Sequence, residues 1–202
     1  MEMASTRTKI IAALVSALQD EEEKVRVSAA QALDKLEKPL HLENLLQALK
    51  AENKGGKLRA LYALEEIPSP KRIGPIIEML KDPEEDVRVI AVQILGRIGH
   101  PQTIGPLMEA LDDKSRLVRI SAIEALGNFK DKRLTEVLLT FLGENDVEIL
   151  ATTIEALGKI GDERAHEEII RFLQDPRPSL RVQAALALGN LEIDEHQKDD
   201  LS

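Results

Sequence analysis

Six leucines recur at a fixed interval: Leu33, Leu64, Leu95, Leu126, Leu157 and Leu188 each lie 31 residues after the last. A second series, Leu18, Leu49, Leu80, Leu111, Leu142 and Leu173, keeps the same period, so a two-element unit is copied six times. Self-similarity at roughly 20 to 50 residues marks a solenoid, in which each unit buries its apolar face only against its neighbours. Residues 1–193 therefore read as one elongated body, followed by an acidic tail at 194–202 expected to be flexible.

Both elements read as helices. In the first, an apolar pair precedes a leucine three positions on, as in Leu14, Val15 and Leu18 or Ile76, Ile77 and Leu80. Spacings of three and four place these residues on one stripe. Gly74-Pro75 and Gly105-Pro106 put a proline near the first turn, where its missing N–H costs little, and Asp82-Pro83 and Asp175-Pro176 end the helix after about three turns. The clearest copies of the second helix cover 87–99, 118–130 and 180–191. Its inward face is Val25, Ala29, Ala32, Leu33 and Leu36 in the first unit and Val87, Ala91, Ile94, Leu95 and Ile98 in the third. With only 2% aromatic residues, the core must be filled by Leu, Ile, Val and Ala, which favours closely packed helices. Gly96, Gly127, Gly158 and Gly189 share one position inside the second helix. Glycine there costs about 1 kcal/mol relative to alanine, so its recurrence predicts a close backbone approach that offsets the cost. Gly99 and Gly161 are expected as left-handed caps.

The Val-Arg that opens the second helix and the Ala-Leu-Gly near its end resemble the HEAT repeat, and more narrowly the short form found in phycobilisome-lyase-type HEAT-like proteins, over residues 6–193. The resemblance implies an all-α, right-handed α-solenoid of six helix pairs, with the second helices lining a concave side. It implies a non-catalytic scaffold or adaptor, or alternatively an accessory subunit of an enzyme such as a bilin lyase. It also implies a ladder tying successive turns together, made by Asp20, Asp82, Asp113 and Asp175 with Arg26, Arg88, Arg119 and Arg181. Each arginine has an acidic partner available, which favours this over a row of phosphate ligands. Two units depart from the pattern, with Ala51 and Lys57 in the second and Glu144 and Leu150 in the fifth. The expected turn Asn53-Lys54-Gly55-Gly56 marks the second unit as a hinge or as ordinary repeat degeneracy.

Specific function belongs to the side of the second helix opposite its core stripe. Placing residues at about 100° steps puts Val27, Leu58, Val89, Ile120, Ala151 and Val182 in one outward row, all apolar. One turn on come Gln31, Tyr62, Gln93, Glu124, Glu155 and Leu186, with Arg59, Ile90, Arg97 and Lys159 beside them. Either neighbouring second helices cover this row, or it is an apolar seam rimmed by mixed charge and suited to a protein or peptide ligand.

Other function classes find little support. The net charge of -9 opposes nucleic acid and anionic membranes. HEAT-like DNA glycosylases are similar in fold, but no tryptophan is available to stack on a base, leaving nucleic-acid binding the third reading. Without cysteine there is no disulfide or thiolate site, and cytoplasmic residence is expected. The run 10–18 is too short and amphipathic to span a bilayer. His41, His100, His166 and His196 show no metal-ligand spacing. His166-Glu167 is similar to the His-Glu pairs of deoxyhypusine hydroxylase, an iron enzyme that needs several such pairs where this chain has one. No catalytic residue, metal or cofactor is expected. The acidic clusters at 21–23, 84–86 and 162–163 read as charges suited to helix dipoles. The last second helix is strongly apolar, carries Leu186 where most copies are polar, and is followed only by the acidic tail, so either end-to-end self-association through the C-terminal repeat or removal from a larger protein is expected.

Overall fold

The computed structural model describes residues 2–50 and 53–199, and their side chains outside 2–8, 11, 34–41 and 191–199. Among the described residues the chain is helical, with no strand. It divides into two compact units, Met1–Ile67 and Pro68–Ser202. The side chains of Lys35, Leu36, His41 and His196, together with Ala51 and the end of the tail, lie outside what is described.

The first unit holds α1 (Glu2–Ala17), α2 (Glu23–Leu49) and α3 (Lys54–Glu65). α2 packs on both α1 and α3, over a core of Ala29, Leu33, Leu42, Leu49, Ala60, Leu61 and Leu64. Two differences from the sequence reading appear here. A two-helix repeat implies a turn after the first repeat's second helix, whose inward face was read as Val25 to Leu36, yet α2 runs unbroken to Leu49 and joins the second helix of one repeat to the first helix of the next. The Asn53–Gly56 stretch is not a turn either: Asn53 caps α3, its Oδ1 accepting from the Gly55 and Gly56 amides at 2.9 and 3.4 Å. Such a cap contributes about 1 kcal/mol and lets two glycines begin a helix they would otherwise weaken.

The second unit alternates short and long helices. Its short ones are α4 (Ile73–Glu78), α6 (Ile104–Glu109), α8 (Thr135–Thr140) and α10 (His166–Arg171). Its long ones are α5 (Glu85–Ile98), α7 (Arg116–Gly127), α9 (Val147–Ile160) and α11 (Pro178–Asp199). Each short helix is flanked by 3-10 turns such as Pro70–Arg72 and Met79–Lys81, so the first element begins before Pro75 and Pro106, and Pro70 and Pro101 take the N-terminal position. Pro75 and Pro106 then lie among the first amides of the helix, which lack helical partners in any case. α11 runs on through the stretch expected as a tail, to Asp199.

The long helices stack α5 on α7, α7 on α9 and α9 on α11. Glycine makes that stacking close. A Cβ on Gly96 would lie 2.6 Å from Ala125 Cβ, one on Gly127 2.7 Å from Ala156 Cα, and one on Gly158 2.7 Å from Ala187 Cβ. These seams bring fully buried Leu95, Leu126 and Leu157 into one core with Ile94, Ile123 and Ile154. Gly99 and Gly161 end α5 and α9 with φ of 62° and 68°. Lys130 holds the equivalent register position with φ 51°, and α7 stops earlier, at Gly127, rather than reaching residue 130 as its apolar pattern suggested.

Candidate functional site

The outward row of the second helices is half covered. In the first unit, Val27 and Tyr62 are each 50% exposed, Gln31 and Arg59 are exposed, and Leu58 is half-buried. In the second unit, Val89, Ile90 and Gln93 on α5, Ile120 on α7, and Ala151 and Lys159 on α9 are half-buried. Arg97, Glu124 and Glu155 are exposed, and Val182 and Leu186 on α11 are the most open, at 59% each. Neighbouring helices thus narrow the apolar row along α5, α7 and α9 without closing it, and leave it broad at α11.

The polar groups beside the row are pre-arranged. Lys159 Nζ meets Glu155 Oε1 at 2.8 Å across one helical turn, and Gln183 Nε2 on α11 donates to the other Glu155 oxygen at 3.4 Å. Between α5 and α7 lies a cleft of about 230 Å³ lined by Gln93, Gly96, Arg97, Ser121, Glu124, Ala125 and Asn128. It follows from the glycine seam: where Gly96 faces Ala125 there is almost no side chain, so the longer polar residues on either side wall an open notch. A cation, an anion, two amides and a hydroxyl face one small volume there.

The repeated Asp and Arg residues, expected as a ladder between successive turns, meet within each repeat through the main chain, and one such pair, Arg88 and Asp113, bridges repeats. Nη1 of Arg26, Arg88, Arg119 and Arg181 donates to the main-chain carbonyls of Asp20, Asp82, Asp113 and Asp175 at 2.8, 2.8, 3.0 and 2.8 Å. The aspartate side chains accept amides two residues on, from Glu22, Glu84, Ser115 and Arg177, at 2.9, 3.0, 2.7 and 2.9 Å. The arginine therefore satisfies carbonyls left over where the first helix ends, and the aspartate fixes the turn between helices. The link to the next repeat is made by Arg88, which grips Asp113 with Nε at 2.8 Å and Nη2 at 3.0 Å. Burial pushes the Asp113 carboxyl up, and the Arg88 hydrogen bonds, the Ser115 amide and the Arg88 charge outweigh it, so the carboxyl lies below its ordinary range.

Where the ladder lapses, other groups take over. With Glu144 at the aspartate position, Arg116 crosses instead to Asp146 and to Glu148, the latter at 2.7 Å. With Leu150 at the arginine position, Asp175 is gripped by Arg177 within its own turn, which holds the carboxyl down at about 2. Asp162, which the sequence suggested was a simple dipole charge, is a buried junction between repeats. It accepts from the Thr135 hydroxyl at 2.8 Å and from Arg164 Nε at 3.0 Å, while Arg164 also reaches Glu136 Oε1 and the Lys132 carbonyl, both at 2.7 Å.

His100 is exposed, its Nδ1 accepting the Gln102 amide at 3.3 Å, and His166 is half-buried at the start of α10. Among the described residues no three His, Asp or Glu side chains converge as a metal site, and no helix is long and apolar enough to cross a membrane.

The family model described as HEAT repeats matches residues 73–151 and 135–201, and that described as HEAT repeat matches residues 10–38. The chain belongs to the HEAT-repeat family. No match is found among the curated proteins. Solved HEAT-like relatives include the complex of CpcE and CpcF of phycocyanin lyase from Nostoc sp. PCC7120, at 23% identity and TM-score 0.66, covering 74% of this chain and 64% of that one. The chain thus spans somewhat under two thirds of that relative's length. The Escherichia coli protein YibA matches at 25% identity and TM-score 0.63, covering 93% and 70%. Human deoxyhypusine hydroxylase in complex with glycerol matches at 22% and 0.58, covering 79% and 66%. The HEAT architecture accounts for the two-helix register, the glycine seam and the turn aspartates.

Proposed function

We propose that this HEAT-repeat protein is a non-catalytic scaffold that binds a protein or peptide segment on the surface of its second helices. The observation that supports the reading most is the polar cleft of Gln93, Arg97, Ser121, Glu124 and Asn128 beside the half-open row Val89, Ile120 and Ala151. Apolar contact supplies area and the cleft supplies direction. Covering four such apolar side chains at roughly 1.5 kcal/mol each gives about 6 kcal/mol gross, which ordering and association costs reduce, so the polar cleft must contribute for binding to reach the micromolar range. Arginine and tyrosine are favoured at interface hot spots, and Arg59, Tyr62 and Arg97 carry them here. A second reading, an accessory subunit of a lyase, draws on the CpcE–CpcF complex, in which a chain of this fold is found with another protein.

The test is affinity capture from the source cell with the parent chain and with Glu124→Arg, Val182→Asp and, as control on a short helix, Glu78→Arg. All three positions are exposed, so folding is retained. The partner is expected to be lost or weakened about tenfold with the first two and kept with the third. Retention by all three variants would overturn the assignment.

A further inference from the structure

We infer that the groove between the C-terminal ends of α8 and α10 docks a segment of another protein in which a large apolar side chain stands next to a lysine or arginine. This surface lies on the short helices, apart from the second-helix face above, and does not rest on the reading given there. The groove encloses about 520 Å³ over a floor of Leu139, Leu142 and Phe172. Gly143 opens one side, and Glu168, Arg171 and Asp175 edge the other.

Two departures from the repeat make the groove. Phe141 and Phe172 stand where two earlier repeats carry Met79 and Ala110, and the Phe172 ring is half-buried rather than enclosed. Gly143 ends the 3-10 turn Phe141–Gly143, whereas Lys81, Asp112 and Gln174 hold the same place in three other turns. All three are better helix formers than glycine. The φ of Gly143 is not positive, and a Cβ there would meet nothing within 4 Å, so neither the backbone nor close packing requires glycine. The missing side chain leaves the groove open.

The groove's shape and charge define the occupant. Its apolar floor is half-buried, unlike sites that enclose most of a small molecule's surface. A side chain carried on a partner's backbone suits such an opening, because the partner covers what the groove does not. The rim asks for a cation. Glu144, the residue after Gly143, is exposed and has no ion partner among the described residues. Glu168 meets Arg171 at 2.7 Å in a pair open to water, and Asp175 is held by Arg177 at 2.8 Å. Glu144, Glu168 and Asp175 thus share two guanidiniums, and a lysine or arginine beside the docked apolar side chain balances the third carboxylate.

A phage-displayed library of random short peptides, selected on the full chain, tests this. The peptides expected place a large apolar residue next to lysine or arginine, and on titration they shift the methyl resonances of Leu139 and Leu142. Gly143→Trp fills the groove from a position with open space around it, and Glu168→Lys reverses a rim charge whose side chain is 40% exposed. Each should weaken the selected peptides about tenfold or more, while Glu124→Arg on the second-helix face leaves them unchanged. The proposal is overturned if no selected peptide distinguishes the parent from Gly143→Trp while shifting Leu139 and Leu142. Peptides without a cation, equal binding to Glu168→Lys, or loss of binding with Glu124→Arg would overturn it as well.

Discussion

Alanine at Gly127 lowers the stability of the second unit by about 2 kcal/mol, whereas alanine at Gly189 raises it by up to about 1 kcal/mol. Alanine is the better helix former at both sites, so propensity alone predicts a gain at both. At Gly127 the new methyl would lie 2.7 Å from Ala156 Cα, a main-chain atom that no rotamer change can move, and α7 and α9 must separate along their seam. At Gly189 the methyl enters open space. Urea unfolding measures both, and equal effects at the two positions would contradict the close-packed seam.

Removing the Asp162 side chain is expected to cost about 2 kcal/mol, since Asp162→Ala leaves the buried Thr135 hydroxyl and Arg164 Nε without their acceptor, while the rest of the guanidinium keeps Glu136 and the Lys132 carbonyl. The same group sets an acid limb. Arg164 draws the Asp162 carboxyl well below the ordinary carboxylate range, against the opposing effect of burial and with help from the Thr135 hydroxyl. A carboxyl whose folded pKa is depressed stabilises fully above its unfolded pKa of about 3.9, and that contribution is lost as pH falls from there toward the folded value. Stability from this junction is therefore constant from neutral pH to about pH 5 and declines below about pH 4. Asp162→Asn should be less stable than the parent at neutral pH and show a shallower decline below about pH 4, as followed by thermal unfolding over a pH series. Asp113, Asp146 and Asp175, also depressed, keep some acid dependence in the variant.

The repeat and its core were legible because they depend on period alone. Leu95, Leu126 and Leu157 could be placed inside from their spacing, and Gly96, Gly127 and Gly158 could be assigned a close approach because nothing else explains glycine recurring in mid-helix. What escaped depends on contacts between residues that share no repeat position. Asp162 and Thr135 lie 27 residues apart, neither is unusual alone, and their partnership exists only once α8 and the turn before α10 are stacked. The turn aspartates were found, but their geometry was not: a sequence shows that Arg88 has an acid nearby, not that Nη1 seeks the Asp82 carbonyl while Nε and Nη2 seek Asp113. Lys130 is a third case, since a left-handed residue is predicted from glycine and hidden by lysine. The α5–α7 cleft was half legible. Gln93, Arg97 and Glu124 stood on the outward face, whereas Ser121 and Asn128 joined them only through the closeness of the seam.

Carboxyl footprinting of the chain, free and in complex with its captured partner, tests the second-helix binding surface most directly. Glu124 and Glu155 are exposed on that surface, and Glu78 and Glu109 are exposed on short helices. The account predicts that the partner protects Glu124 and Glu155 from labelling and leaves Glu78 and Glu109 unchanged. Protection of Glu78 and Glu109 with Glu124 and Glu155 still fully labelled would contradict it.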